Sequence, residues 1–557
     1  MGKLSRWVLV ALLALVTAVA LAACGDDDDD DDGTAGGGGT AGGSITITQT
    51  SQPDYLDPAL SYTVNGWEPM WLVYTPLLTY NHAEGEAGAE LVPGVAEDLP
   101  EISEDGLTYR FKIREGVEFS DGTPVKASDF EHTMKRVLNL ESGGSPFYLV
   151  IEGAEKYVED GDAQADISGI ETDDQTGEIT IRLTEPDGSF QNVIAMNFGG
   201  IVPGDTPFEN MTKSPPPGVG SYVITESVPN RHFVLERNEN FEGFEGVPPA
   251  KIDTIRTEIV KNAVRQARGV ISGDYDYMQD PPPADIKPEV QAQYSDRYKE
   301  FTTISTYYVF MNHQVAPFDD PQVREAVNIG LNKPALARIF AGELQPGCSF
   351  LPPGMPGYDE ALDVAECPFG DPNEPPDLDR ARQLIEDAGV AGDEITVWGN
   401  NDDPTDKVTE AIADQLTQMG FDAEPEILDG GVYFQTVGNQ KTEAQIGFTN
   451  WFQDFPHPYN FYFLVDGASI QPTNNQNFGN VDDPEINSEL EELRQETDLE
   501  AVTDRWAALD RQLVEESHIA PYGHRKLATF MSERMDFDNC ALVHPVYQND
   551  YSSFCLK

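Results

Sequence analysis

The stretch LTYRFKIREGVEFSDGTPVKASDF, Leu107–Phe130, carries the densest structural signal in the chain. Leu107, Tyr109, Phe111 and Ile113 alternate with Thr108, Arg110, Lys112 and Arg114. That period of two predicts a strand with one buried and one wet face. Gly116 and the Asp121-Gly122 pair then mark turns. Ser128 with Glu131 predicts a capping box, and Phe130, Met134, Val137 and Leu138 follow at helical spacing.

The same reading extends outward. Ser44–Thr50 (SITITQT) alternates as an opening strand. Asp320-Pro321 supplies an N-cap and first-turn pair for a helix through Val323, Ala326 and Val327. Leu378, Ala381, Leu384, Ile385 and Ala388 form one helix face, stopped by Gly389, and Ile395–Trp398 reads as the next strand. A helix through Val408, Ile412, Leu416 and Met419 ends at Gly420, and a further strand begins at Phe421. Helix alternating with strand indicates an α/β lobe, whereas the region from about 80 to 250 is richer in strands and turns.

Composition narrows the function. The 557 residues hold 97 Asp+Glu against 35 Lys+Arg, a formal charge of −62. A nucleic-acid binder needs a basic face, so that class is excluded, as is attachment to anionic lipid through a basic patch. A 39% hydrophobic content supports folded cores, and the length calls for at least two lobes.

The N-terminus gives the compartment. Lys3 and Arg6 precede an apolar run from Trp7 to Ala20, then Leu21-Ala22-Ala23-Cys24, the order of a secretory signal peptide over 1–23. The last four residues resemble the bacterial lipobox, in which the Cys is lipidated. Cys24 is therefore expected to anchor the protein to the outer face of the cell membrane, since two or more acyl chains hold far better than one. From Cys24 to Gly43 runs a tether with aspartates at 26–32 and Gly-rich sequence behind them. Only seven of the 97 acidic residues sit in that run, so the acidity is global.

Cys348, Cys367, Cys540 and Cys555 remain, and four cysteines allow three pairings. Cys348–Cys367 and Cys540–Cys555 close the shortest loops and are the expected disulfides; a zinc site lacks CxxC or a nearby histidine pair. Catalytic signatures are missing: there is no GxSxG, no HExxH and no P-loop, and Gly218-Val219-Gly220 lacks the third glycine of a dinucleotide fingerprint. No cofactor and no metal site are expected.

Leu91-Val92-Pro93 with Ala96 and Leu99, the Leu107–Phe130 block, Leu56-Asp57-Pro58 and Val73–Leu78 resemble the peptide/nickel class of solute-binding proteins. Leu235–Asn240, Gly273–Asp276, Asn312, Pro317-Phe318, Val323–Ala326 and Trp451–Pro456 continue the resemblance in order. These proteins are the extracytoplasmic receptors of ATP-binding-cassette importers. The resemblance implies a two-lobed α/β clamshell of the periplasmic-binding-protein type, with an extra subdomain near 82–205. The first lobe would take 44–305 and return at 525–557, and the second would take 306–524. Tyr307–Asn312 and the region near Arg525 would be the hinge strands, and closure would be driven by ligand contacts made only in the closed state.

The resemblance also implies that Asp454, in Trp-x-x-Asp, holds a peptide α-ammonium, with a turn cap before Pro456 as the structural alternative. Trp451 would wall a side-chain site or belong to the core, and Tyr55, Trp67, Tyr307 and Tyr308 lie near the expected cleft edges. Asn450, Phe455 and His457 depart from the commoner form of the motif. Gly218-Val-Gly-Ser-Tyr222 resembles a family turn that needs small residues. The expected function is a monomeric, lipid-anchored receptor that captures peptides and hands them to permease subunits. An oligosaccharide, an opine-like compound or chelated nickel would be the alternative solute, and an extracellular hydrolase the alternative class.

Overall fold

The computed structural model describes residues 42–557. The signal-like segment, Cys24 and the aspartate run lie outside the described residues.

A twelve-stranded sheet organises the chain, and one strand, Ala520–Met531, ties its two halves together. On one side Ser44–Gln49 runs parallel to Thr254–Ile259 and to Tyr277–Met278. His232–Arg237 and Tyr222–Val228 continue that half in antiparallel fashion. On the other side Glu394–Asn400 lies between Asp422–Leu428 and Ile446–Phe452, all parallel, and Ser305–Met311 pairs antiparallel with the last of these. The long strand meets Ser305–Met311 and Leu344–Pro346 through its first residues. Its later residues meet Tyr298–Thr302 and Tyr277–Met278. Two chain crossings, at Thr303–Ser305 and along Ala520–Met531, therefore link the halves of the sheet.

The parallel pairing of Glu394–Asn400 with Asp422–Leu428 requires a crossover, and the helix Thr405–Met419 provides it. Val408, Ile412, Leu416 and Met419 are buried, the face that the apolar spacing predicts. Gly420 ends this helix at φ +117°, a conformation a side chain would resist. The helix Pro321–Gly330 starts at Asp320, whose carboxylate accepts from the Gln322 backbone N–H at 2.8 Å.

The decisive stretch builds a separate four-stranded antiparallel sheet around Thr108–Lys112, with Tyr109 and Phe111 inward and Arg110 and Lys112 in solvent. The helix beside it covers Ala127–Asn139. It begins two residues earlier than the Ser128/Glu131 capping box implies. Lys126 is the N-cap, and the Asp129 carboxylate accepts its backbone N–H at 2.8 Å. Ser128 instead donates its N–H and hydroxyl to Asp174, because the loop holding Asp174 packs against the helix start.

Two features lock this unit in place. The Arg136 guanidinium grips Asp57 through two hydrogen bonds of 3.1 and 2.9 Å, and both side chains are excluded from solvent. Asp57 also accepts the N–H groups of Ala59 and Met211, and Arg136 donates to the carbonyls of Pro207 and Glu209. Every charge is thus matched, which is what makes burial tolerable. The glycines of Gly218–Gly220 press on the Val73 segment: a Cβ at Gly218 would lie 2.2 Å from the Val73 carbonyl oxygen, and one at Gly220 would lie 2.3 Å from that of Leu72. Small residues are a packing requirement here.

The Sγ atoms of Cys348 and Cys367 are bonded to each other, as are those of Cys540 and Cys555, the pairings that close the shortest loops. Asp57→Ala leaves the Arg136 charge buried and unpaired, so chemical denaturation should show a loss of about 3–5 kcal/mol. A loss below about 1 kcal/mol would show that water reaches the guanidinium.

Candidate functional site

A cavity of ≈ 250 Å³ opens between the halves of the sheet. Tyr62, Trp67 and Glu68 wall it from one side, and Asn450, Trp451 and Asp454 from the other. Tyr307, from the strand Ser305–Met311, and Arg525, from the strand Ala520–Met531, also line it.

Asp454 sits just beyond the end of the strand Ile446–Phe452 and is 6% exposed. Asn460 fixes it from six residues on. The Asn460 Oδ1 accepts the Asp454 backbone N–H at 2.8 Å and the Trp451 indole N–H at 3.3 Å, and its Nδ2 donates to Asp454 Oδ2 at 2.8 Å. Tyr62 reaches across the cleft and donates its hydroxyl to the same Oδ2 at 3.0 Å. The other carboxylate oxygen takes no hydrogen bond among the described residues, and no cation pairs with it there. Burial pushes the Asp454 carboxyl up to about 7 against the opposing hydrogen bonds of Asn460 and Tyr62.

The ring of Tyr62 stands edge-on to Trp451 at 5.3 Å and stacks on Trp67 at 5.4 Å. This aromatic wall beside Asp454 gives an apolar surface for the part of a ligand that follows a charged end. Tyr55 and Tyr307 also line the cavity, and the Tyr307 hydroxyl accepts a 3.1 Å hydrogen bond from Arg525. Tyr308 does not line it. As the next residue along a strand it points to the opposite face, where it packs edge-on against Phe350 at 5.3 Å. Asp454 makes no hydrogen bond to a following backbone N–H, so the turn-cap alternative has no counterpart here.

Tyr62, Glu68, Asp280 and Asp402 line the same cavity, Asn460 fixes Asp454, and none of them carries a motif of its own. Tyr62 and Asp454 are 392 residues apart in sequence, and only the fold joins them.

A family model described as "Bacterial extracellular solute-binding proteins, family 5 Middle" matches residues 90–472. The chain belongs to that family. This receptor is 25% identical over 542 residues to the "Oligopeptide-binding protein OppA" of Bacillus subtilis (strain 168), covering 93% of each chain. It is 26% identical over 394 residues to the "Dipeptide-binding protein" of Escherichia coli (strain K12), covering 67% of this receptor and 70% of that protein. Among solved structures it superposes on "Clavulanic acid biosynthesis oligopeptide binding protein 2" with a TM-score of 0.79 and 26% identity, over 93% of the receptor and 96% of the other chain. The two-lobed clamshell is thus its fold, and solute binding rather than catalysis is its work. Among the described residues no helix is long and apolar enough to cross a membrane.

The raised Asp454 value sets a sign for stability. The unfolded chain holds this proton near 3.8 and the native state near 7, so the native state is the tighter proton binder. Its contribution is present at low pH and is lost as pH rises through about 7. Asp454→Asn keeps an acceptor for Asn460 and Tyr62 and removes the loss. Ligand-free Asp454→Asn should therefore be more stable than wild type by roughly 2–4 kcal/mol at about pH 8, with the gap closing toward about pH 4. Melting curves of both proteins across this range check it; a gap that does not change with pH would contradict it.

Proposed function

We propose that this receptor captures peptides and delivers them to the permease of an ATP-binding-cassette importer, with Asp454 as the anchor for the peptide α-ammonium. The carrying observation is the buried Asp454 carboxylate, which lines the cavity and pairs with no cation among the described residues. An ammonium arriving there is stabilised by a full charge and two preset hydrogen-bond partners, and in turn relieves the carboxylate's desolvation. Trp451 and Tyr62 flank the first peptide units, and Tyr55 and Tyr307 line the rest of the cavity. The relatives in Bacillus subtilis and Escherichia coli, named for oligopeptide and dipeptide binding, agree with this reading.

In the same proposal the first lobe takes 44–305 with 525–557, including the subdomain at 82–205, and the second lobe takes 306–524. Closure turns on the two crossings at Thr303–Ser305 and along Ala520–Met531, and each lobe supplies one wall of the cavity. Cys24, lipidated after removal of 1–23, holds a monomer at the outer face of the membrane, where it meets the permease subunits.

Calorimetric titration with trialanine and N-acetyl-trialanine tests the anchor. The free peptide should bind wild type at least about 100-fold tighter than the acetylated one, and Asp454→Ala should erase the difference. Equal affinities for the two peptides would remove Asp454 as the anchor, and absence of binding by peptides of any length would remove the peptide reading.

A further inference from the structure

The cavity has a second acidic pole, set apart from Asp454. Asp280 follows the strand Tyr277–Met278 and Asp402 follows Glu394–Asn400, so the two carboxylates come from opposite halves of the sheet and line one cavity. Asp280 Oδ2 accepts the N–H and the hydroxyl of Thr50, at 2.9 and 2.7 Å. Asp402 is held at the start of the helix Gly430–Val437, where a Cβ at Gly430 would lie 2.2 Å from its Oδ2. Behind them sit Glu68 and Gln279, 3% and 8% exposed. Glu68 Oε2 accepts from Tyr551 and from Gln279, yet Glu68 Oε1 and Gln279 Oε1 receive no hydrogen bond. Buried acceptors without donors are rare, and both residues belong to the cavity lining.

The other charges of the lining are already committed. Asp54 accepts from Tyr62 N–H and from Thr63 within its own loop, and Asp403 pairs with Lys407. Arg525 gives Nη2 to Glu343 at 2.9 Å and Nη1 to Tyr307, and lies over the Phe340 ring at 4.8 Å. Lys261, the cation closest to Asp402 in influence, is held by Asp429 at 2.6 Å. Glu68, Asp280 and Asp402 are left as a carboxyl cluster with no cation bonded to it among the described residues.

We propose that Glu68, Gln279, Asp280 and Asp402 form a subsite for a second cationic group of the ligand, the ammonium or guanidinium of a lysine or arginine side chain, so that the receptor selects cationic peptides. The proposal rests on the peptide reading and adds its side-chain preference. Donors of a side-chain cation fill the two open acceptors and neutralise carboxyls from both halves of the sheet, which ties the ligand's charge to closure. Burial pushes Glu68 up to about 8 and Asp402 up to about 7, and Asp280 adds to both shifts, so an arriving cation relieves a repulsion already present.

The test is calorimetric titration of wild type, Asp402→Asn and Asp454→Asn with trialanine and with its lysine and norleucine substitutes at each of the three positions. Norleucine keeps the aliphatic stem and lacks the charge. At one position at least, lysine should bind wild type roughly ten-fold or more tighter than norleucine, and this ratio should fall toward one in Asp402→Asn. Asp454→Asn should weaken both peptides alike and keep the ratio. Because the readout is a ratio on one protein, partial misfolding of a variant does not imitate it. A lysine-to-norleucine ratio of one at every position in wild type, with trialanine bound, overturns the subsite and leaves the peptide reading standing. Failure of every peptide to bind overturns both.

Discussion

A carboxylate buried without a cation is the constraint on which the rest of this structure turns. Removing a charge from water is costly, and Asp454 recovers only part of that cost from Asn460 and Tyr62. In the proposed function a positive group supplies the rest. Tyr62 stands on the wall opposite the strand that leads to Asp454, so this hydrogen bond joins both sides of the cleft. In the proposed function a ligand bound between them would act on the position of one side relative to the other.

The sheet makes such action possible. Ala520–Met531 is hydrogen-bonded to strands of both halves, so each half is rigid by its own pairing while the chain between them has few residues to bend. Beyond the cavity the rim is crossed by a 3.0 Å pair between Arg494 and Asp187, and the ring of Phe147 stacks on that of Phe463 at 4.0 Å. These contacts close the rim. In the proposed closure, a solute that makes no contact with both walls shifts nothing.

Local periodicity made much of the fold legible. Tyr109 and Phe111 turn inward as their alternation requires, and Gly389 and Gly420 stop their helices in the left-handed region. The helix starts two residues before the Ser128/Glu131 box implies, because Asp129 accepts the Lys126 N–H from inside the helix and Ser128 turns to Asp174. Asp454 was legible only through a family motif, since nothing local marks one carboxylate among 97 acidic residues. Tyr62, Glu68 and Asp402 were not legible, because their roles arise from contacts between distant parts of the chain. Tyr307 and Tyr308 illustrate the pleat: neighbours in a strand face opposite ways, so at most one of the pair could reach the cavity.

The most direct test is a crystal structure of the receptor with trialanine. The account predicts the peptide's N-terminal nitrogen at about 2.8 Å from the Asp454 carboxylate, with Tyr62 and Asn460 still bonded to it. A bound peptide whose nitrogen lies elsewhere, with Asp454 touching only Tyr62 and Asn460, would contradict it.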